Sequence, residues 1–278
     1  MGAAGFDVLA YAADAHGSHR AELAGVGEPL PEDLRGLLRY LQRRFAGTTT
    51  WLSLVLVTPT HKEARITAFL SAWAYERHWL ADAVAALLGE PAAPPAPRSR
   101  WEGLRDRLAP LAESVVANVH GSALTAVQMA DRVVDGLVVD RLLAVAADGA
   151  PASVATDLGR IRGVLARQQA FFAETAADRL AGSPRAQRLA RSRLTAAAWP
   201  IGADRDPAGT AAAFAALTAS DPRWAAHLDE EVDALPGLAG LRLLQRSAAN
   251  PGRPVLRTPL RAAAALGRLA ASVTDRKG

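Results

Sequence analysis

Apolar residues return at intervals of three and four along most of the chain, and β-branched residues never gather into alternating runs. That period predicts helices at 32–46, 59–89, 101–119, 122–147, 151–182, 184–197, 207–219, 222–235 and 258–273. Their starts are marked by Thr58-Pro59, Ser183-Pro184, Asp206-Pro207, Asp221-Pro222 and Thr258-Pro259, each a capping side chain before a proline at the first helical position. Pro151 is expected to open another helix. Glu90–Arg98, with four prolines, reads as an extended linker, while Pro110 and His120-Gly121 should kink or interrupt the helices around them. Long helices followed by short ones predict an all-α bundle over 31–182 and a short-helix appendage over 183–249. An N-terminal extension (1–30) and a C-terminal tail with one helix (250–278) flank them.

Some polar residues fall on the apolar stripes. In 59–89 the stripe is Ile66, Phe69, Leu70, Trp73, Leu80, Val84 and Leu87/Leu88; Arg77 lies in its middle and Glu76 at its edge. In 122–147 the stripe Leu124, Val127, Val134, Val138, Leu142 and Val145 contains Asp131 and Asp135, with Gln128 beside them. Gln169 interrupts Leu158, Ile161, Leu165, Phe172 and Ala176, flanked by Gln168 and Arg162, and Asn118 interrupts the stripe of 101–119. A charge on a core stripe is costly unless paired. The simplest pairing sets Arg77 against Asp131, Asp135 or both, with the glutamines taking the remaining donors and acceptors. Two readings stay open: an ion pair that registers the helices, or a polar patch that orients a ligand in a bundle cavity. Trp73, with Trp51, Trp79 and Tyr75, is first of all core.

Composition narrows the chemistry. About 60 of the 278 residues are alanine and aromatic content is 5%, which suits helices and argues against an all-β fold. With no cysteine, disulfides and thiolate metal sites are excluded. Of the 32 basic residues only Lys62 and Lys277 are lysine, and the net charge is +4. The positive excess lies after Pro184, but its arginines are scattered over helices with no aromatic interleaving, so solvated faces are expected rather than nucleic-acid contact. The longest uncharged apolar stretch, Thr48–Pro59, is too short for a bilayer, and the first residues lack a basic region. A cytoplasmic protein without membrane contact is expected, with a homodimer allowed for. No glycine-rich phosphate loop, nucleophile elbow or dinucleotide fingerprint is present. Asp131/Asp135 and Asp229/Asp233 share the Asp-x-x-x-Asp spacing of helical isoprenoid synthases, but such pairs arise by chance, and the second reads as a solvated face.

The stretch from Thr60 to Trp79, the run Ala-Phe-Phe-Ala-Glu-Thr-Ala ending at Ala176, and the later Asp-Ala-Leu-Pro-Gly-Leu-Ala-Gly-Leu ending at Leu241 resemble bacterial ferritin-like proteins over about residues 50–245. The resemblance implies four long antiparallel helices and, in metal-binding members, two irons held by two Glu and two Glu-x-x-His. Here none of the histidines 16, 19, 61, 78, 120 and 227 has an acidic residue three positions earlier. Arg77 and Leu80 stand where the first Glu-x-x-His would fall, Leu165 and Gln168 where the second would. A guanidinium cannot ligate iron but can replace its positive charge, so no metal and no cofactor are expected in the bundle. The leading expectation is therefore metal-independent binding or transformation of a small, largely apolar organic molecule. Arg77 would anchor an anionic or carbonyl group, helped by Glu76, Gln128, Gln169, Asn118 and Trp73, with Asp131 and Asp135 orienting it or acting as base. The alternatives are a packed, non-catalytic interaction protein and an oxidase or oxygenase with unconventional ligands.

Overall fold

The computed structural model describes residues 5–91 and 121–253. The expected helices 101–119 and 258–273, with Asn118 and the Pro110 kink, lie outside the described residues, as does most of the 90–98 linker. Among the described residues the secondary structure is helical, with no strand. The chain runs through α1 (Val8–Ala13), a 3₁₀ turn (Arg20–Glu22), α2 (Glu32–Ala46), α3 (Thr48–Val55), a second 3₁₀ turn (Pro59–Lys62) and α4 (Ala64–Leu88). After the gap come α5 (Ser122–Asp148), α6 (Ala152–Ala181), α7 (Pro184–Ala196), α8 (Pro207–Ser220), α9 (Trp224–Asp233) and α10 (Leu243–Ala249). No helix among the described residues is long and apolar enough to cross a membrane.

α2 is amphipathic in the simplest sense. Leu34, Leu37, Leu38, Leu41 and Phe45 are buried on one side, acids open it and Arg43 and Arg44 close it, matching the helix dipole. α5 is the opposite case. Residues are buried around nearly its whole circumference, from Leu124 and Met129 to Val133, Val139 and Leu143. It is the central helix, with α6 as its most extensive partner and with α2, α7, α8 and α9 also packed on it. The tight Gly149–Pro151 connection folds α5 and α6 into a helical hairpin. α4 packs against α1, α2 and α3, and its Phe69 stacks on Phe171 of α6 with ring centroids 3.7 Å apart. Phe69, Trp73 and Phe172 are within 2% of full burial. Each such side chain contributes about 1.5–3 kcal/mol.

The helix starts divide into those that behave as expected and those that do not. The Ser183 side chain accepts Ala186 N–H at 3.1 Å and Asp206 accepts Gly209 N–H at 2.9 Å. Thr58 does not cap. Its hydroxyl donates to the Val55 carbonyl at 2.6 Å, Pro59 opens only a 3₁₀ turn, and Glu63 in extended backbone separates that turn from α4. Asp221 turns to the Arg223 N–H at 2.8 Å, so the helix expected from 222 begins at Trp224. The Asp229/Asp233 pair is not a solvated face. Asp229 is buried and accepts the N–H groups of Leu244 and Gln245 at 2.9 and 3.0 Å, capping α10 from α9, while Asp233 accepts Gly240 N–H at 2.9 Å.

Candidate functional site

Arg77 does point into the core. It is 6% exposed, and its guanidinium lies over the rings of Phe45 (5.1 Å) and Trp73 (5.5 Å). One turn-facing neighbour on α5 joins it: Arg132, 5% exposed, sits 4.3 Å over Trp51 and 5.9 Å from the Trp73 ring. Asp135 is the carboxylate between them. Its Oδ1 accepts from Arg44 Nη2 of α2 at 2.6 Å and from the Ile201 N–H at 3.0 Å, and its Oδ2 lies 3.5 Å from Arg132 Nη1. Stacking on aromatic faces supplies part of what a buried cation loses with its water.

The electrostatics are lopsided. Burial, opposed by Asp135 but reinforced by Arg132 and Arg44, pushes the Arg77 guanidinium down to about 10. Arg132 is also lowered, chiefly by burial. Burial alone would raise Asp135, but Arg44, Arg132, Arg77 and the Ile201 N–H reverse this and hold its carboxyl below the usual range. Among the described residues Arg44 and Arg132 thus converge on the buried Asp135, whose charge also reaches Arg77, and Asp131 adds its charge at Arg132. Donors are left over: Arg44 Nε, Arg77 Nε, Arg132 Nε and Nη2, and Trp73 Nε1 are buried without a hydrogen-bond partner among the described residues. Such groups are rare in folded proteins, and here they are all donors.

The other expected site residues are not all gathered here. Glu76, fully buried, belongs to a separate centre. It accepts from the Tyr11 hydroxyl in a short hydrogen bond, from Gln168 Nε2 at 2.9 Å, and from the His16 N–H and Arg167 Nη2 at 3.4 Å each. Burial, then the bond to Glu76 and its charge, raise the Tyr11 hydroxyl far above its ordinary value. Gln128 accepts from the Thr60 hydroxyl at 2.6 Å, in a network with Thr58 and Thr125. Gln169 donates to the Val133 carbonyl at 2.9 Å and lies against Gly136, where an added Cβ would stand 2.1 Å from its Oε1. Asp131 is half-buried and acts on Arg132, while Asp135 is the carboxylate that acts on Arg77. Asp135 therefore acts on Arg77 through its charge, while its own hydrogen bonds go to Arg44 and the Ile201 N–H. Asn118 lies outside the described residues.

Arg44 and Arg132 are the residues that periodicity passes over. Arg132 was legible as the partner three positions before Asp135, and Arg44 lies next to the buried Phe45 on α2. Neither guanidinium can ligate a metal, and the nearby carboxylates Asp135 and Glu76 are committed to donors. Clefts of about 290 Å³, between the ends of α5, α6 and α7, and about 70 Å³, beside Arg39, Gln42 and Glu90, lie apart from the arginine cluster. Compared with protein-family models, curated proteins and solved structures, the chain matches none.

Proposed function

We propose that this protein binds a small organic anion, an apolar body carrying a carboxylate or similar group, at the Arg44–Arg77–Arg132 cluster, without a metal in the bundle interior. One observation carries the reading: among the described residues two buried guanidiniums, Arg77 and Arg132, and the half-buried Arg44 gather around the buried Asp135, with unpartnered N–H donors beside aromatic rings. A buried charge without its partner is strongly destabilising, and an incoming anion would neutralise part of the excess while taking the free donors. Trp51, Trp73 and Phe45 offer the apolar surface for the rest of the molecule. α3 carries Trp51 over Arg132, and only eight residues long, with exposed Leu56 and Val57 just after it, it is the element whose displacement would admit a ligand.

Asp135 orients the arginines in this reading and is not a base. A carboxyl held below its usual range is a weaker proton acceptor than an ordinary aspartate. Binding is therefore the better-supported half of the expectation, and turnover the lesser. The ferritin-like likeness is part of the same proposal: the α5–α6 hairpin beside α4 suits it, and Arg77 would hold by its own charge the place of a lost metal.

A second reading has its own support. The guanidiniums already rest on Phe45, Trp51 and Trp73, and the described clefts lie elsewhere, as in a packed core whose ion cluster registers the helices. Calorimetric titration of the full chain with benzoate and with octanoate separates the two. The binding reading expects saturable heat with at least one of them, weakened tenfold or more in Arg77→Leu while the helical circular dichroism stays intact. Absence of saturable heat with both, or unchanged affinity in Arg77→Leu, would leave the packed core.

A further inference from the structure

The segment that crosses α4 between α1 and α2 presents a second chemistry, independent of the interior cluster. His16, His19 and Glu22 each offer one ligand atom, and these atoms lie within 4.8 Å of one another. The Glu22 carboxylate bridges both rings, with Oε1 3.0 Å from His16 Nε2 and Oε2 3.9 Å from His19 Nδ1, and the two ring centroids are 4.5 Å apart. His19 is 8% exposed and its Nε2 has no hydrogen-bond partner among the described residues. The side chains of His16 and Glu22 stay open, at 42% and 50%.

The segment is also held against α4. Arg20 makes a paired contact with Asp82 of α4, both bonds 2.7 Å, and the His16 N–H reaches Glu76. Gly17 passes so close to α4 that a Cβ there would stand 3.0 Å from the Tyr75 hydroxyl. Ligand side chains on a backbone fixed at its middle and its end lose little freedom on capturing an ion.

We propose that His16, His19 and Glu22 form a binding site for a divalent transition metal of the zinc class. Two imidazoles and one carboxylate are the ligands zinc accepts and magnesium or calcium does not favour. Three protein ligands on a partly open surface leave a coordination position for water or a further ligand. Because all three come from seven consecutive residues, the ion would clasp the segment itself over α4.

The test is titration of the full chain, free of any affinity tag, with Zn²⁺ alone, read by calorimetry with His16→Ala, Glu22→Gln and the distant His227→Ala in parallel. The expected result is one saturable ion per chain, affinity lowered at least tenfold in both His16→Ala and Glu22→Gln, and unchanged binding in His227→Ala. Both altered side chains are about half exposed, so thermal melts without zinc should stay within a few degrees of the parent. No saturable binding, or affinity within tenfold of the parent in either His16→Ala or Glu22→Gln, overturns the proposal.

Discussion

Glu76 and Asp135 are two carboxylates buried in the same helical core, and they are served in opposite ways. Glu76 faces a phenol, an amide, a backbone N–H and one half-exposed arginine, so its lone pairs are met and the surplus of charge is small. Asp135 faces three guanidiniums, two of them buried on aromatic rings, and donors around it have no partner among the described residues. In the first arrangement the carboxylate needs no further partner, although the neighbouring Gln168 Oε1 has none among the described residues. The second leaves buried donors unmet among the described residues, and these are what the proposed anion would take. Burial alone does not separate a strut from a site; the balance of donors, acceptors and charge does.

The comparison breaks most readily at Asp135. Asp135→Ala should cost about 3–5 kcal/mol of unfolding free energy, because it strands clustered buried cations. Urea denaturation followed by circular dichroism measures this, and a loss below about 1 kcal/mol would show that the arginines are not dependent on the carboxylate. Tyr11→Phe at the other centre should cost about 1.5–3 kcal/mol, the range of a hydrogen bond to a charged acceptor, in the same assay.

The two centres should also fail at opposite ends of the pH scale. Asp135 is held below its ordinary value, so its stabilisation is present above the unfolded-state pKa and is lost as pH falls through the lower folded value. Asp135→Asn should therefore flatten the acid limb of a stability–pH curve. Tyr11 is raised, so its stabilisation is present below the ordinary phenol range and declines as pH rises above it. Tyr11→Phe should flatten the alkaline limb and leave the acid limb unchanged.

Smaller effects sharpen the picture. Gly136→Ala forces Gln169 from its place against α5 and should cost about 1 kcal/mol, since a lost neutral hydrogen bond is offset by alanine's better helix propensity. Arg77→Leu should change stability least, by less than about 1 kcal/mol in either direction, because removing one of three like charges relieves repulsion as it removes a contact. The contrast in size between Asp135→Ala and Arg77→Leu, read in one set of urea curves, is the signature of cationic excess.

Much of the helical framework is legible in the sequence, for local reasons. α2, α5, α6, α7 and α8 begin and end within a residue or two of the periodic pattern, since acids, serine, aspartate and proline mark their starts. α1, α3 and α10 are too short to show a period, and α9 starts late because Asp221 bonds Arg223 instead of capping. The site is half legible. Arg77 and Asp135 on apolar stripes are found together in the core, but a stripe has no meaning on a helix buried all round. This is why periodicity does not separate Asp131 from Asp135 and does not single out Arg132. Glu76 directly precedes Arg77, and the 100° between them sends it to another layer. The His16–His19–Glu22 group is passed over because the di-iron pattern seeks an acid three residues before a histidine, and Glu22 lies three residues after one.

The most direct test of the cationic-excess account is the thermal midpoint of the parent protein and of Arg77→Leu across a benzoate series, with chloride at matched ionic strength as reference. A ligand that binds only the folded state stabilises by about 2.7 kcal/mol at a hundred times its Kd. The account predicts that benzoate raises the midpoint of the parent beyond the chloride reference, in a saturable way, and that Arg77→Leu loses that rise while melting near the parent without ligand. Superimposable benzoate and chloride curves for the parent, or an undiminished benzoate effect in Arg77→Leu, would contradict it.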